Sequence, residues 1–426
     1  MTPRERLFAL EQFGIKLGLQ NITTLLEALN RPDHAFSSVH VAGTNGKGSV
    51  TAMVERGLRA AGARTGRYTS PHLDRVEERI AIDGITVDAA DFDAVTAVVM
   101  AVIDRLRETG ALETLPTFFE ATTAVAFEVF RRRGVQIAVV EVGLGGRLDA
   151  TNVIVPMVSV ITSIAFDHER HLGGSLGAIA FEKAGVIKPG VPVVVGVLPD
   201  DARRVVTEVA ARKGAPMIAA APADATRGTP VRLALDGAHQ ARNAAVAVAT
   251  LQACARNGVP VERAHIVTAL SEVEWPARLE WLRTSAGDVL IDAAHNPAGA
   301  QGLADYIAST ATGPLPLVIG VMNDKDVDTM VRAMAPAVSR FIATQVASPR
   351  ALGADALLDR IRRLVPGASA LAIPDSDQAV QVALAGTHRA MVAGSIFLVG
   401  PLRARLIAQG AVAVRYPSSA GPFFLI

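Results

Sequence analysis

One cysteine, Cys254, in 426 residues leaves no partner for an intramolecular disulfide and fits a reducing cytoplasm. It sits in an alanine-rich stretch, Asn243 to Ala255, and reads as a small buried apolar residue. Excess charge is missing as well, with 42 Lys and Arg against 41 Asp and Glu. That balance gives no whole-protein field to attract nucleic acid or an anionic membrane, so any anion site must be local. Long apolar runs are absent: Val191 to Leu198, among the longest, falls far short of the roughly 20 residues of a membrane helix. The opening MTPRERLFAL lacks an apolar core of signal-peptide length and a small-residue cleavage pattern, so no secretory leader is expected. Neither a repeat nor a low-complexity tail is visible.

What is present is ample apolar material: half the residues are hydrophobic and 19% charged, which describes a globular chain. The length suits two or three domains of roughly 100 to 200 residues. Short β-branched runs at Ser38 to Ala42, Val135 to Val142, Met157 to Ile164 and Val191 to Val197 alternate with helical patterns at Ser49 to Ala61, Thr117 to Arg133, Asp201 to Arg212 and Ala238 to Asn257. Alternation of this kind predicts a parallel α/β sheet in a first domain over 1–272. It restarts after Trp275-Pro276, with strands expected at Val289 to Ala293, Pro316 to Val321, Arg340 to Ala343 and Ala393 to Val399. The fold expected is therefore two α/β domains, the second smaller and spanning 279–426, joined by a linker at 273–278.

Between the first strand and its helix lies the turn Gly43-Thr44-Asn45-Gly46-Lys47-Gly48-Ser49. Its glycines let the backbone approach an anion, amide groups at the helix start face phosphate oxygens, and Lys47 adds a mobile positive charge. Ser49 has the hydroxyl to ligate an accompanying Mg²⁺. The turn departs from the common phosphate-loop pattern, because Val41 stands where a first glycine is expected and Gly48 separates Lys47 from Ser49. ATP is the ligand expected. Glu141, ending the strand Val135 to Val142, lies where parallel sheets meet their ligands and is a natural Mg²⁺ ligand.

Further motifs follow in order: Thr69-Ser70-Pro71-His72-Leu73, Glu78-Arg79-Ile80, EVGLGGRLDATN from Glu141 to Asn152, Asp167-His168, Glu182-Lys183-Ala184-Gly185, Trp275-Pro276-Ala277-Arg278 and Asp292-Ala-Ala-His295-Asn296-Pro297. Together with the glycine turn, and over a span from about Gly14 to the segment GSIFLVGP near 400, the chain resembles folylpolyglutamate synthases and dihydrofolate synthases of the Mur ligase superfamily. The resemblance implies an N-terminal P-loop ATPase domain and a C-terminal Rossmann-like domain. It also implies an acid–amino-acid ligase, which phosphorylates a carboxylate with ATP and lets the amino group of L-glutamate attack the acyl phosphate, releasing ADP and phosphate.

By the same resemblance, Gly43, Thr44, Asn45, Gly46, Lys47, Gly48 and Ser49 hold ATP, with Arg278 and Asp292 on the nucleotide and Asn243 near its adenine or ribose. Ser49, Ser70, Glu141, His168 and a Lys183 carbamylated by CO₂ are implied around two Mg²⁺ ions. His295 and Ser395 are implied near the incoming glutamate, with Lys47, Lys183 and His295 as catalytic residues. Lys16, Leu17, Gly18, Ser70, Pro71, His72, Thr117, Phe118, Phe119, Glu120, Leu148, Asp149 and Ala150 are implied around the folate or dihydropteroate. Aromatic residues are only 4% of the chain, so a ring-binding pocket relies on few of them. Core packing is the competing account of Phe118 and Phe119. A monomer is expected.

His168 with His171 raises zinc as a second metal, but no cysteine or further histidine completes a set at the usual spacing. A peptidoglycan-precursor Mur ligase would need a substrate domain ahead of the phosphate loop, and 42 residues before Gly43 are too few. A nucleotide sensor that ligates nothing would have no use for Arg278, Asp292 and His295. The sequence leaves open whether both acceptors, tetrahydrofolate and dihydropteroate, are used.

Overall fold

The computed structural model describes all residues except 15, 221–229, 311, 417–422 and 426. Two sheets organise it. The first holds β1 (Ser37–Ala42), β2 (Thr65–Tyr68), β3 (Ile80–Ile82), β4 (Ile85–Thr86), β5 (Ile137–Glu141), β6 (Val158–Ile161), β7 (Val193–Val195) and β8 (Met217–Ala219) in the order β4-β3-β2-β5-β1-β6-β7-β8. Its strands run parallel except for β3 and β4, which form an antiparallel edge. Covered on both faces, β1 and β5 carry near-continuous apolar runs, with Val39, Val41, Val139 and Val140 fully buried. The helix Lys47–Ala60 leaves β1 and packs against the helix Ala238–Arg256 through Val50, Met53, Val54 and Leu251. Cys254 lies in that core, and burial pushes its thiol up to about 12.

After a small strand β9 (Pro230–Arg232), the second sheet is built from β10 (Glu280–Arg283), β11 (Asp288–Ile291), β12 (Leu315–Ile319), β13 (Val338–Ala343), β14 (Ala370–Ala372), β15 (Arg389–Ala393) and β16 (Val412–Val414). Its order is β14-β13-β12-β15-β11-β10-β16, parallel from β14 to β11 and antiparallel at β10 and β16. The last strand, β17 (Phe423–Leu425), returns to pair with β9.

One expected strand is wrong. Ala393 to Val399 is not a strand: β15 ends at Ala393, the chain turns at Gly394 with φ 110°, and Ser395 caps the helix Ile396–Ala408. The run GSIFLVGP is apolar because Leu398 and Val399 bury against the sheet, and a short apolar run looks the same in a buried strand or a buried helix. The short strands β3, β4, β10 and β16 and the 20-residue helix Ala89–Glu108 were not anticipated. Strands of two to four residues are too short to show a period.

Candidate active site

The C-terminal ends of β1, β5 and β6 meet at the glycine turn, which is bracketed by the segment after β6. Asn45 N–H donates to Ser163 Oγ (3.0 Å), Thr44 N–H to the Ser163 carbonyl (2.8 Å), and Thr162 Oγ1 to the Asn45 carbonyl (2.7 Å). The amides of Thr44 and Asn45 are thus occupied within the protein. Those left for an anion belong to the first turn of the helix Lys47–Ala60, which has no intrahelical acceptor for them. Gly46 holds φ 83°, and a Cβ there would sit 2.3 Å from Asn243 Oδ1. At Gly48 a Cβ would meet the Trp275 indole Nε1 at 2.8 Å, so the glycine between Lys47 and Ser49 makes room for a side chain of the 273–278 segment.

Two lysines converge on one carbonyl. Lys47 Nζ donates to Gly43 O and Thr44 O (both 3.2 Å), and Lys183 Nζ donates to Gly43 O at 2.8 Å. Lys183 is buried, and burial followed by repulsion from Lys47 lowers its pKa to about 7. Two amino groups this close repel each other when both are charged, which favours a neutral Lys183 beside a charged Lys47.

Glu141 is also buried and accepts one hydrogen bond among the described residues, from Ser70 N–H at 3.3 Å. Burial raises its carboxyl pKa against the pull of Lys47. A buried carboxylate so weakly satisfied has coordination capacity for a cation. Ser49 accepts from Gln240 Nε2 (3.3 Å), and Gln240 Oε1 in turn accepts from Asn243 (2.8 Å), so these helix residues at i and i+3 support the phosphate loop. The 70–73 loop is fixed from below: Glu78 accepts the amides of Leu73, Asp74 and Arg75, and Arg79 donates to His72 Nδ1 at 2.9 Å.

From the second sheet, Asp292 accepts Leu279 N–H and Ala294 N–H, each at 2.8 Å. The first of those bonds holds a turn in which Ala277 (φ 56°) and Leu279 (φ 49°) take left-handed backbone on either side of Arg278. Asp292 is therefore committed to presenting Arg278, with its remaining lone pairs open to a ligand. His295 Nδ1 donates to Ala293 O (2.8 Å), leaving Nε2 as acceptor, and Gly394 N–H to Ala294 O (2.9 Å) brings Ser395 beside it.

The two sheets are joined across the site. Asp167 accepts from Lys325 Nζ (2.7 Å) and Asn296 Nδ2 (3.0 Å), and Asn296 also donates to Asn45 Oδ1 (2.9 Å). Burial alone would raise Asp167, but Lys325 and then His168 hold its carboxyl well below the usual range. His168 lies beside Asp167 at 3.8 Å, and burial lowers its pKa to about 4, so its ring is neutral near pH 7. Lys325, Asp167, Asn296 and Gln240 were not among the expected site residues. The signal for Lys325 is the polar run Asn323-Asp324-Lys325-Asp326 after a buried parallel strand. Asp167→Ala would strand a buried ammonium and is expected to cost about 3 kcal/mol. Chemical denaturation of the single and the Asp167→Leu/Lys325→Met double variant checks this; a loss below ~1 kcal/mol in the single variant would mean the pair is open in solution.

The residues expected around the pterin lie together but are engaged structurally. Gly18 N–H reaches Leu148 O (3.4 Å), which joins the 16–18 and 148–150 segments, while Lys16 donates to Thr114 (2.6 Å). Thr117 and Glu120 form a capping box at the start of the helix Phe118–Arg132. Phe118 stacks on Phe8 at 5.5 Å and Phe119 on Tyr68 at 6.1 Å, and Asp149 is buried accepting Leu144 and Thr151 amides. His171 is exposed, and among the described residues no three His, Cys, Asp or Glu side chains form a metal shell.

Residues 277–399 match the family model described as Mur ligase, glutamate ligase domain. The chain is 36% identical to the folylpolyglutamate synthase of Lacticaseibacillus casei, covering 91% of this chain and 94% of that one. Folylpolyglutamate synthase of Mycobacterium tuberculosis, solved with ADP and AMPPCP, matches with TM-score 0.85 and 33% identity over 91% of this chain and 95% of that one. A bifunctional folylpolyglutamate synthase/dihydrofolate synthase solved with Mn, AMPPNP and L-glutamate bound matches with TM-score 0.81 and 29% identity, over 96% and 98%.

Proposed function

The chain belongs to the folylpolyglutamate synthase and dihydrofolate synthase family, and we propose that it joins L-glutamate to the carboxylate of tetrahydrofolate species and of dihydropteroate, using ATP. The observation that carries this reading is the pair Lys47 and Lys183 on the Gly43 carbonyl, beside buried Glu141 and facing Arg278 and His295 from the second sheet. Such a site can hold ATP phosphates on one side and a carboxylate acceptor on the other.

In the proposed mechanism the helix amides from Gly46 onward and Lys47 hold the phosphates, and Arg278 neutralises charge on the transferring phosphoryl group. The acceptor carboxylate attacks it, ADP leaves, and the acyl phosphate is opened by the amino group of L-glutamate. His295, neutral and with Nε2 unprotonated 3.7 Å from Asp167 Oδ2, orients that amino group or takes its proton. Closure of Asp167 and Asn45 on Lys325 and Asn296 excludes water from the acyl phosphate.

Ser49, Ser70, Glu141 and neutral His168 are the donors that would hold two Mg²⁺ ions, with phosphate and water oxygens completing each shell. When bound, the ions supply positive charge that neutralises the phosphate oxygens. Lys183 suits carbamylation, because a buried amine with a lowered pKa is partly neutral near pH 7, and the carbamate would place an anion beside Lys47 that could help hold a cation. We divide the chain at 273–278 into an ATP- and folate-binding part and a glutamate-binding part. All of these groups come from one chain, which supports a working monomer; the single buried Cys254 suits a cytoplasmic setting.

The test is incubation with ATP, Mg²⁺, L-glutamate and either tetrahydrofolate or dihydropteroate, reading phosphate release and product mass. Turnover is expected with both acceptors, each product heavier by one glutamyl residue. Phosphate release indifferent to both would overturn the reading, and response to tetrahydrofolate alone would leave a monofunctional polyglutamate synthase.

A further inference from the structure

A cleft of about 610 Å³ opens between the sheets beside the phosphate-loop helix, lined by Arg67, Thr69, Pro71, His72, Trp275 and Arg278 among others. It connects the Ser70–His72 loop to the Arg278 turn, the two places where an acceptor carboxylate and the phosphates must meet. Arg67 lies on β2, paired with Val139 of β5, so its side chain leaves the sheet on the same face as Glu141 two residues further on.

Its environment is unusual for an arginine. The side chain is only 13% exposed, Nε is buried with no partner, and the guanidinium makes no hydrogen bond among the described residues. The nearest carboxylate oxygen, Glu55 Oε2, is 3.9 Å away, too far for a hydrogen bond, while the other oxygen, Oε1, accepts from Thr65 Oγ1 (2.6 Å) and Arg59 Nε (3.1 Å). The Trp275 ring, 4.9 Å from the guanidinium carbon, supports its plane. Burying a charged fork without hydrogen bonds is unfavourable unless a ligand supplies the acceptors. A carboxylate matches that fork with two parallel hydrogen bonds.

Resting on the ligase reading above, we infer that Arg67, braced by Trp275, receives the α-carboxylate of the glutamyl residue whose γ-carboxylate reacts, and so selects acceptors that already carry glutamate. Dihydropteroate has only its reacting carboxylate and gains nothing from this arm. The indole also touches Gly48, so the residue that positions Arg67 rests on the phosphate loop as well.

The experiment uses the full-length protein with tetrahydrofolate and with tetrahydropteroyl-4-aminobutyrate, which keeps the reacting carboxylate and lacks the α-carboxylate. For wild type, kcat/KM is expected to favour tetrahydrofolate by about tenfold or more, the value of charge-assisted hydrogen bonds. In Arg67→Gln that preference should fall below about twofold, through KM for tetrahydrofolate rather than KM for ATP, and Arg67→Lys should recover part of it. Equal losses on both acceptors, an unchanged preference, or a fall in melting temperature alone would overturn the assignment. Wild type idle with every acceptor would instead overturn the ligase reading.

Discussion

Lys47→Ala is expected to lower kcat for acceptor-dependent phosphate release by about 10³-fold or more, while the protein stays folded. In the protein alone the ammonium bonds only the Gly43 and Thr44 carbonyls, both at 3.2 Å, and its side chain is not part of any apolar core. Alanine at the first position of the helix Lys47–Ala60 keeps the helix, so the melting temperature should move by no more than a few degrees. What is lost is the charge that follows the phosphoryl group, together with the repulsion that lowers the Lys183 pKa. The variant should therefore be slow at saturating ATP, not merely weak in binding it. Full activity would refute the role; loss of activity accompanied by unfolding would return Lys47 to a structural one.

That prediction was accessible from the chain because a phosphate loop is local: a strand, seven residues and a helix contain its logic. The residues that support it are not local. Gln240 under Ser49 and Ser163 on the amides of Thr44 and Asn45 come from segments more than a hundred residues away, with nothing in their own neighbourhoods to advertise the contact. The Asp167–Lys325 pair has the same character: each is an ordinary charged residue after a strand until two sheets bring them together. Residue type was legible where destination was not. Asp292 stands out in sequence as a strand-end acid, yet one oxygen accepts the Leu279 amide of the Arg278 turn and the other the Ala294 amide, and the Glu120 carboxylate accepts the Thr117 amide. The fold class was legible from alternation of buried strands and helices, whereas short strands such as β3 and β16 show no period, and the helix at Ile396 was hidden in an apolar run.

Lys183→Ala should be inactive by about 10³-fold and should regain part of its rate with a short carboxylic acid such as acetate or propionate. The amine is buried, donates 2.8 Å to Gly43 O, and has a pKa lowered to about 7 by burial and by Lys47. If the working form is a carbamate, the lost group is an anion, and a small carboxylate diffusing into the space left by the side chain can replace it; an added alkylamine cannot. A cationic role predicts the reverse, rescue by the amine and none by the acid. Acidity gives a second check. Only the neutral amine takes up CO₂, so the wild-type rate at limiting CO₂ should rise with pH through about 7 and be restored below it by bicarbonate. The sign of the stability effect follows from the same shift: the unfolded lysine keeps its proton up to its ordinary value of 10.5 while the folded one sheds it near 7. The unfolded chain binds more protons between those limits, so this residue's contribution to folding stability grows as pH rises from about 7 towards 10.5 and is unfavourable below. A Lys183→Ala variant that lacks this rising limb yet keeps a wild-type rate would separate burial from catalysis and leave Lys183 a purely structural residue.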